Sequence, residues 1–156
     1  MTQNLTIREA NNNENKIIAQ HFSQLWRDNN VSKDCIQTNC LEMTDEFIEN
    51  ARKELQFKAF IAEIDRAIIG STSCQRFAGL YPIVLTPQHR LYGYIWNVYV
   101  EPEFRDRGIG KKLTQTACEY LKSIGCTQAI LHASPYGKPL YEKLGFVASN
   151  EMRLDL

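Results

Sequence analysis

One segment constrains this chain more than any other. Tyr94-Ile95-Trp96-Asn97-Val98-Tyr99-Val100 is dense in β-branched and aromatic residues and predicts a strand. The strand stops at Glu101-Pro102, and a polar loop carrying Gly108 and Gly110 follows. Ile109, Leu113, Ala117, Tyr120, Leu121 and Ile124 then share one face of a helix, with Gly125 as its stop. A strand that feeds an amphipathic helix through a short loop must lay the helix's apolar face on a sheet. That requirement confines the chain to the α/β and α+β classes.

The flanking residues supply the rest of such a sheet. Residues 4–9 alternate polar and apolar and predict a first strand. Ile17, Ile18, Phe22, Leu25 and Trp26 recur at helical spacing and predict an amphipathic helix over about 13–29. Thr44 is placed to cap a second helix, with Asp45 and Glu46 at its positive end and Phe47, Ile48, Ala51 and Leu55 on its apolar face. Phe57 to Glu63 and Ala67 to Gln75 predict two strands about a turn at Ile64-Asp65-Arg66. Residues 79–92 contain two prolines and read as a loop or an interrupted ribbon. Beyond the helix, Ala129 to Ala133 predicts a central strand and Lys138 to Leu144 a short helix ended by Gly145. Val147, with the alternating Met152, Leu154 and Leu156, predicts one or two closing strands.

Composition excludes several classes. At 156 residues, with no linker or repeat, the chain is expected to form one domain over 1–156. Eighteen basic residues balance eighteen acidic ones, which argues against a general binder of nucleic acid or anionic membrane. No stretch approaches the roughly 18 apolar residues needed to span a bilayer, and the first residues lack the layout of a secretory signal. Five cysteines without a C-x-x-C pair suggest neither a disulfide framework nor a zinc site, so a reducing cytoplasm is the expected compartment. Cys118 and Cys126 read as small hydrophobes. His21, His89 and His132 are scattered, and no metal is expected.

The chemistry points to the loop Glu101-Pro102-Glu103-Phe104-Arg105-Asp106-Arg107-Gly108-Ile109-Gly110-Lys111-Lys112. Backbone N–H groups at a helix start lack partners within the helix, and two glycines leave them uncovered. The helix dipole and Arg105, Arg107, Lys111 and Lys112 add positive potential. Together these features describe a phosphate cradle. The alternative is a glycine-containing turn before a surface helix with ordinary lysines. A P-loop would need glycine at 105 and Ser or Thr at 112, where Arg105 and Lys112 stand. A dinucleotide fingerprint would need glycine at 113, which is Leu113.

Arg-x-x-Gly-x-Gly directly after a Val-Tyr-Val strand ending in Glu-Pro resembles the acetyl-coenzyme A pyrophosphate loop of the GNAT superfamily of N-acetyltransferases. Leu140-Tyr141-Glu142-Lys143-Leu144-Gly145-Phe146 resembles the stretch after that family's penultimate strand. The two motifs span about 94–146 in the family's order. The resemblance implies a GNAT-like α/β (α+β) fold, with a mixed, mostly antiparallel sheet, splayed central strands and flanking helices.

It also implies roles for particular residues. Acetyl-coenzyme A is expected in a cleft between strands 94–100 and 129–134. Backbone groups along Val98, Tyr99 and Val100 would pair with the pantetheine arm in the manner of a borrowed strand. The N–H groups of Arg105, Asp106, Arg107, Gly108, Ile109 and Gly110 would hold the pyrophosphate, with Lys111 near the phosphates or ribose. Ser134 stands where the family often has Asn, and its hydroxyl replaces only part of an amide's hydrogen bonding. The implied reaction transfers an acetyl group to a primary amine of a small molecule or amino compound, by direct attack through a tetrahedral intermediate. The Val98 N–H would stabilise the oxyanion and Tyr141 would act as general acid to the departing thiolate.

Some points stay open in the sequence. Where some family members have a base glutamate, this chain has Tyr94. A water chain touching Tyr94, Asn97 or His132 is one route for the amine's proton, and Glu101 reads as a solvated loop residue. Strand alternation places Asn97, Tyr99 and Glu101 on one face and Trp96, Val98 and Val100 on the other. His132, inside an apolar stretch, reads as a hydrogen-bonded core histidine. Tyr81, His89, Tyr92, Trp96 and Tyr99 line an aromatic acceptor pocket or serve packing, while Glu42, Asp45 and Glu46 are placed to attract a cationic acceptor. A non-catalytic acyl-coenzyme A binding or sensing module with the same fold is the alternative function. Dimerisation is common in the family, but no feature here specifies an interface for a homodimer.

Overall fold

The computed structural model describes residues 4–79 and 83–156. Among them, five strands form one sheet in sequence order: β1 (Leu5–Glu9), β2 (Lys58–Ile64), β3 (Ala67–Arg76), β4 (Tyr92–Val100) and β5 (Gln128–Ile130). The first four run antiparallel to their neighbours, and β5 lies parallel to β4. The helices are α1 (Asn15–Asp28), α2 (Cys40–Glu54), α3 (Ile109–Ser123) and α4 (Lys138–Lys143). The expected mixed, mostly antiparallel sheet flanked by helices is therefore present.

Both faces of the sheet are covered because its strands carry apolar residues on both faces. Phe60, Ala62 and Ile64 of β2, with Ile69, Cys74 and Ile95, pack against Ile109, Leu113, Ala117 and Leu121 of α3. Ala59 and Ile61, the alternate residues of β2, join Trp96 against Ile18 of α1 and Ile48 and Ala51 of α2. Asp65 and Arg66 both take left-handed φ values, 49° and 68°, and link the paired residues Ile64 and Ala67. A two-residue hairpin turn of this hand matches the twist of its strands.

Five sequence expectations change. Thr44 does not cap α2: the helix starts at Cys40, and the Thr44 hydroxyl donates back to the Cys40 carbonyl at 2.7 Å. Nothing in Cys40-Leu41-Glu42-Met43 breaks a helix, so the first turn extends past the local capping signal. β5 ends at Ile130, three residues short of the predicted end, and His132 is exposed rather than in the core. No strand is formed over 147–156, where Val147, Met152, Leu154 and Leu156 all stand exposed. Alternation alone supplies no ladder partner. In the proline-containing stretch, β4 already begins at Tyr92, and the expectation for Tyr81 lies outside the described residues.

The fifth change reshapes β4. Ser73 pairs with Trp96 and Ser71 with Tyr99, so three steps along β4 oppose two along β3. Asn97 absorbs the extra residue with a left-handed φ of 56°. This β-bulge breaks the alternation. Trp96 consequently lies with Tyr94 in the cluster under α1 and α2, and Asn97 also turns toward α1, while Val98 and Val100 pack on the α3 side.

Gly70 sits where β3 passes β4 closely: a Cβ there would lie 2.7 Å from the Tyr99 carbonyl oxygen and 3.4 Å from Leu113 Cδ1. Backbone cannot yield as a flexible side chain can. Gly70→Ala is expected to destabilise the fold by about 1–3 kcal/mol, seen as a lower midpoint in urea unfolding; an unchanged midpoint refutes the close approach.

Candidate functional site

β4 and β5 share a short ladder: Tyr92 with Gln128, Gly93 with Ala129 and Tyr94 with Ile130. After that the strands part, and a cleft of about 560 Å³ opens between them. The start of α3, the residues around α4 and the end of α1 complete its walls. Between Ile95 and Val100 the cleft-side edge of β4 has no strand beside it among the described residues. An open edge of this kind pairs with any extended chain bearing amide groups.

The loop leading into α3 is shaped for an anion. Asp106 and Gly108 adopt left-handed φ values of 61° and 75°, which turns successive N–H groups toward one side. Lys112 N–H donates to the Gly108 carbonyl at 3.1 Å, so the N–H groups of Ile109, Gly110 and Lys111 precede the first internal bond of the helix. A Cβ at Gly110 would lie 3.4 Å from Leu140 Cδ2 and 4.0 Å from Val98 and Val100, so the helix start fits closely between β4 and α4. Uncovered N–H groups at a helix N-terminus, facing a cleft, suit a pyrophosphate.

The sequence-predicted residues converge here with two differences. Val98, Tyr99, Val100, Arg105, Asp106, Gly108, Ile109, Gly110, Lys111, Ser134 and Tyr141 all line the cleft; Arg107 does not. Arg107 Nη2 donates to the Glu103 carbonyl at 3.0 Å, and its guanidinium lies over Phe104. Arg105 lines the cleft but its guanidinium is engaged: Nε donates to the Val100 carbonyl at 2.9 Å and Nη2 to Asp28 Oδ2 at 2.6 Å. Its own N–H donates to the Pro102 carbonyl at 3.3 Å. Arg105 thus ties the end of α1 to the end of β4, and Lys111 is left as the lining lysine at the cradle.

Ser134 Oγ accepts from the Gly137 N–H at 3.1 Å, while its carbonyl accepts from Lys138 N–H at 2.9 Å. The hydroxyl thereby braces the start of α4 and keeps its proton to donate. Tyr141 projects from α4 with its ring edge-on to Phe146. Burial pushes its phenol up to about 12, so it stays protonated throughout the working range of pH. Of the aromatic acceptor set, Trp96 and Tyr99 reach the cleft. Tyr92 packs instead with Phe77 and Arg90, and His89 is exposed outside the lining. Asp45, one of the acidic trio, accepts from Asn15 Nδ2 at 3.0 Å.

The first two helices were expected to shape the acceptor side, but the α1 residues that line the cleft were not named. Leu25, Asp28 and Asn29 line the cleft, and a buried polar network lies behind Tyr99. Asn97 Nδ2 donates to Ser71 Oγ at 3.1 Å, and Ser71 Oγ lies 2.7 Å from His21 Nδ1. His21 Nε2 lies 3.7 Å from Glu101 Oε1, while Tyr99 donates to Glu101 Oε2 at 3.2 Å. Asn97, an odd residue in an otherwise apolar strand and one tolerant of left-handed φ, was the signal for the bulge. Nothing in the sequence links His21 to Ser71.

Comparison with known proteins gives the family and the fold. The model of the acetyltransferase (GNAT) family matches residues 20–146, so the chain belongs to that family. Glucosamine 6-phosphate N-acetyltransferase of Trypanosoma brucei brucei is 41% identical over 86 residues, covering 52% of this chain and 58% of that relative. The chain thus spans little more than half of its length. A GCN5-related N-acetyltransferase from Ralstonia eutropha JMP134 superposes with a TM-score of 0.85 at 22% identity, over 98% of this chain and 99% of its own. A protein described as a predicted acetyltransferase from Clostridium acetobutylicum, solved with acetyl-CoA, gives 0.80 at 24% identity over 98% and 96%.

His21 carries a pH-dependence. It is 3% exposed, and burial lowers its pKa from the ordinary 6.5 to about 4. The unfolded chain binds this proton more readily, so stability is full above 6.5 and falls as pH drops toward 4, by about 3 kcal/mol from this residue. Urea midpoints measured between pH 7 and 4 should fall less steeply in His21→Gln than in the parent. Parallel slopes contradict the assignment.

Proposed function

We propose that this chain is an acetyl-CoA-dependent N-acetyltransferase acting on the primary amine of a small molecule. One observation carries the reading: an open strand edge and a row of uncovered helix N–H groups face the same cleft. The first suits an amide-bearing arm and the second a pyrophosphate, and acetyl-CoA has both. The relative named for glucosamine 6-phosphate supports an amine acceptor and puts amino sugar phosphates in the first panel to assay. The five free cysteines fit a reducing, cytoplasmic setting.

Bound acetyl-CoA supplies an activated thioester. The chain's residues supply position and charge. Val98 and Val100 would align the pantetheine arm along β4, and the N–H groups of Gly108, Ile109 and Gly110, with Lys111, would hold the pyrophosphate. Direct attack by a neutral amine gives a tetrahedral oxyanion, for which the Val98 N–H beside the bulge is the donor. Tyr141, half-buried and protonated, would direct its O–H at the sulfur as thiolate charge develops.

Three experiments test this. Thiol release with a panel of amines, alongside calorimetric binding of coenzyme A, separates an enzyme from a binding module: tight binding without turnover on any amine contradicts catalysis. Gly110→Asp should abolish coenzyme A binding through repulsion at the cradle, while Gly110→Ala, which meets Leu140 at ordinary contact, keeps the fold. Retained binding in Gly110→Asp overturns the cradle. Tyr141→Phe should lower kcat about 10²-fold, with acetyl-CoA affinity little changed. An unaltered kcat, with chemistry shown to be limiting, removes the acid role.

A further inference from the structure

At the fork where β4 and β5 part, three side chains from distant parts of the sequence join in line. Tyr94, the last paired residue of β4 against β5, places its hydroxyl 2.8 Å from His132 Nδ1. His132 Nε2 lies 3.0 Å from Glu151 Oε2 in the C-terminal tail, and Arg153 Nε donates to the other oxygen of Glu151 at 2.7 Å. His132 itself lines the cleft. The charged and titratable groups facing the imidazole are therefore Tyr94 from β4 and Glu151, with Arg153 behind it, from the tail.

The proton positions follow from the partners. An ionised carboxylate only accepts, so His132 carries its proton on Nε2 and donates it to Glu151. Nδ1 is then an acceptor, and Tyr94 donates to it. With its proton so directed, the Tyr94 oxygen keeps lone pairs beside the cleft-lining Ile95 and His132. The ring of Tyr94 is half-buried against Phe77, which holds the hydroxyl in place. The sequence left Tyr94 and His132 open as contacts on the amine's proton route; the structure joins them directly and adds Glu151. As a surface ion pair its partners, each about half exposed, would contribute little to stability.

We propose that Tyr94, His132 and Glu151 form the proton relay that deprotonates the acceptor ammonium before it attacks. The proposal rests on the acetyltransferase reading and extends it to the base. An N–H bond of the ammonium breaks, leaving its electron pair on nitrogen, and that proton joins the Tyr94 oxygen. The original Tyr94 proton passes to His132 Nδ1. The result is a neutral amine, a neutral tyrosine and an imidazolium that Glu151 stabilises. Half-exposed His132 then returns the extra proton to water. Tyr94 is the catalytic residue, His132 takes the proton through it, and Glu151 is a positioning residue.

Two readouts test the relay on the full chain. Long-range proton–nitrogen NMR of His132 should show Nε2 protonated and Nδ1 unprotonated, with the Nδ1 resonance moving in Tyr94→Phe. A proton resident on Nδ1 overturns the relay without any reference to activity. With an amine that the parent turns over, Tyr94→Phe and His132→Gln should each lower kcat/KM about 10²-fold near neutral pH, at unchanged coenzyme A affinity. The deficit should shrink at alkaline pH, where the free amine arrives already neutral. Glu151→Gln should shift the acidic limb of the profile, and Glu151→Asp should restore part of it. Deficits that are constant with pH, or parental rates in all three variants, overturn the relay while leaving the acetyltransferase reading intact. A parent that turns over no amine overturns both.

Discussion

Two parallel strands hold a ladder only while their backbones stay one hydrogen bond apart, and here β4 and β5 do so for three pairs. Everything distinctive about the molecule follows from their parting. Along the paired stretch, α3 presses close: a Cβ on Gly93 would lie 2.6 Å from the Leu121 side chain. Further on, Val98 and Val100 fill the α3 side, and the start of α3 comes up against Leu140. The wedge leaves a run of β4 backbone unpaired and sets helix N–H groups at the end of the gap. An open edge is a liability on an outer strand, but here it is enclosed in a cleft that selects what may pair with it.

Charge in the cleft is arranged locally. The chain has no net charge, and two of the four cations near the cradle are committed to the protein itself: Arg105 to Asp28 and Val100, and Arg107 to the Glu103 carbonyl. The attraction we propose for phosphate therefore rests chiefly on backbone dipoles and Lys111. Dipoles fixed by a folded loop need no reorganisation when an anion arrives. Burial works in the same direction at the titratable groups. It holds Tyr141 protonated and His21 neutral, so both present hydrogen bonds rather than charges at working pH.

Much of the fold was legible because its signals are local. The period of α3, the β-rich run of β4, the Asp65-Arg66 turn and the stops at Gly125 and Gly145, with φ of 88° and 93°, each depend on a few neighbouring residues. The shape of the loop before α3 was legible for the same reason, since Gly108 and Gly110 act through their own backbone. The face of β4 was not. Alternation assumes that every residue advances the pleat by one step, and Asn97 does not, so Trp96 moved to the side of Asn97 and Tyr99. The tail failed in the opposite sense: Met152, Leu154 and Leu156 have the period of a strand but no ladder among the described residues.

By itself, then, the sequence determined the kinds of element and the strand–loop–helix whose two glycines leave backbone N–H groups uncovered at a helix start. Those properties are set by steric and dipolar effects within a turn or two of chain. Only the tertiary structure decided that Arg105 would bind Asp28, 77 residues away, that His21 would meet Ser71, and that His132 would stand between Tyr94 and Glu151. A hydrogen bond between remote side chains is specified by where the sheet and helices place their backbones. No local pattern in the chain encodes that distance.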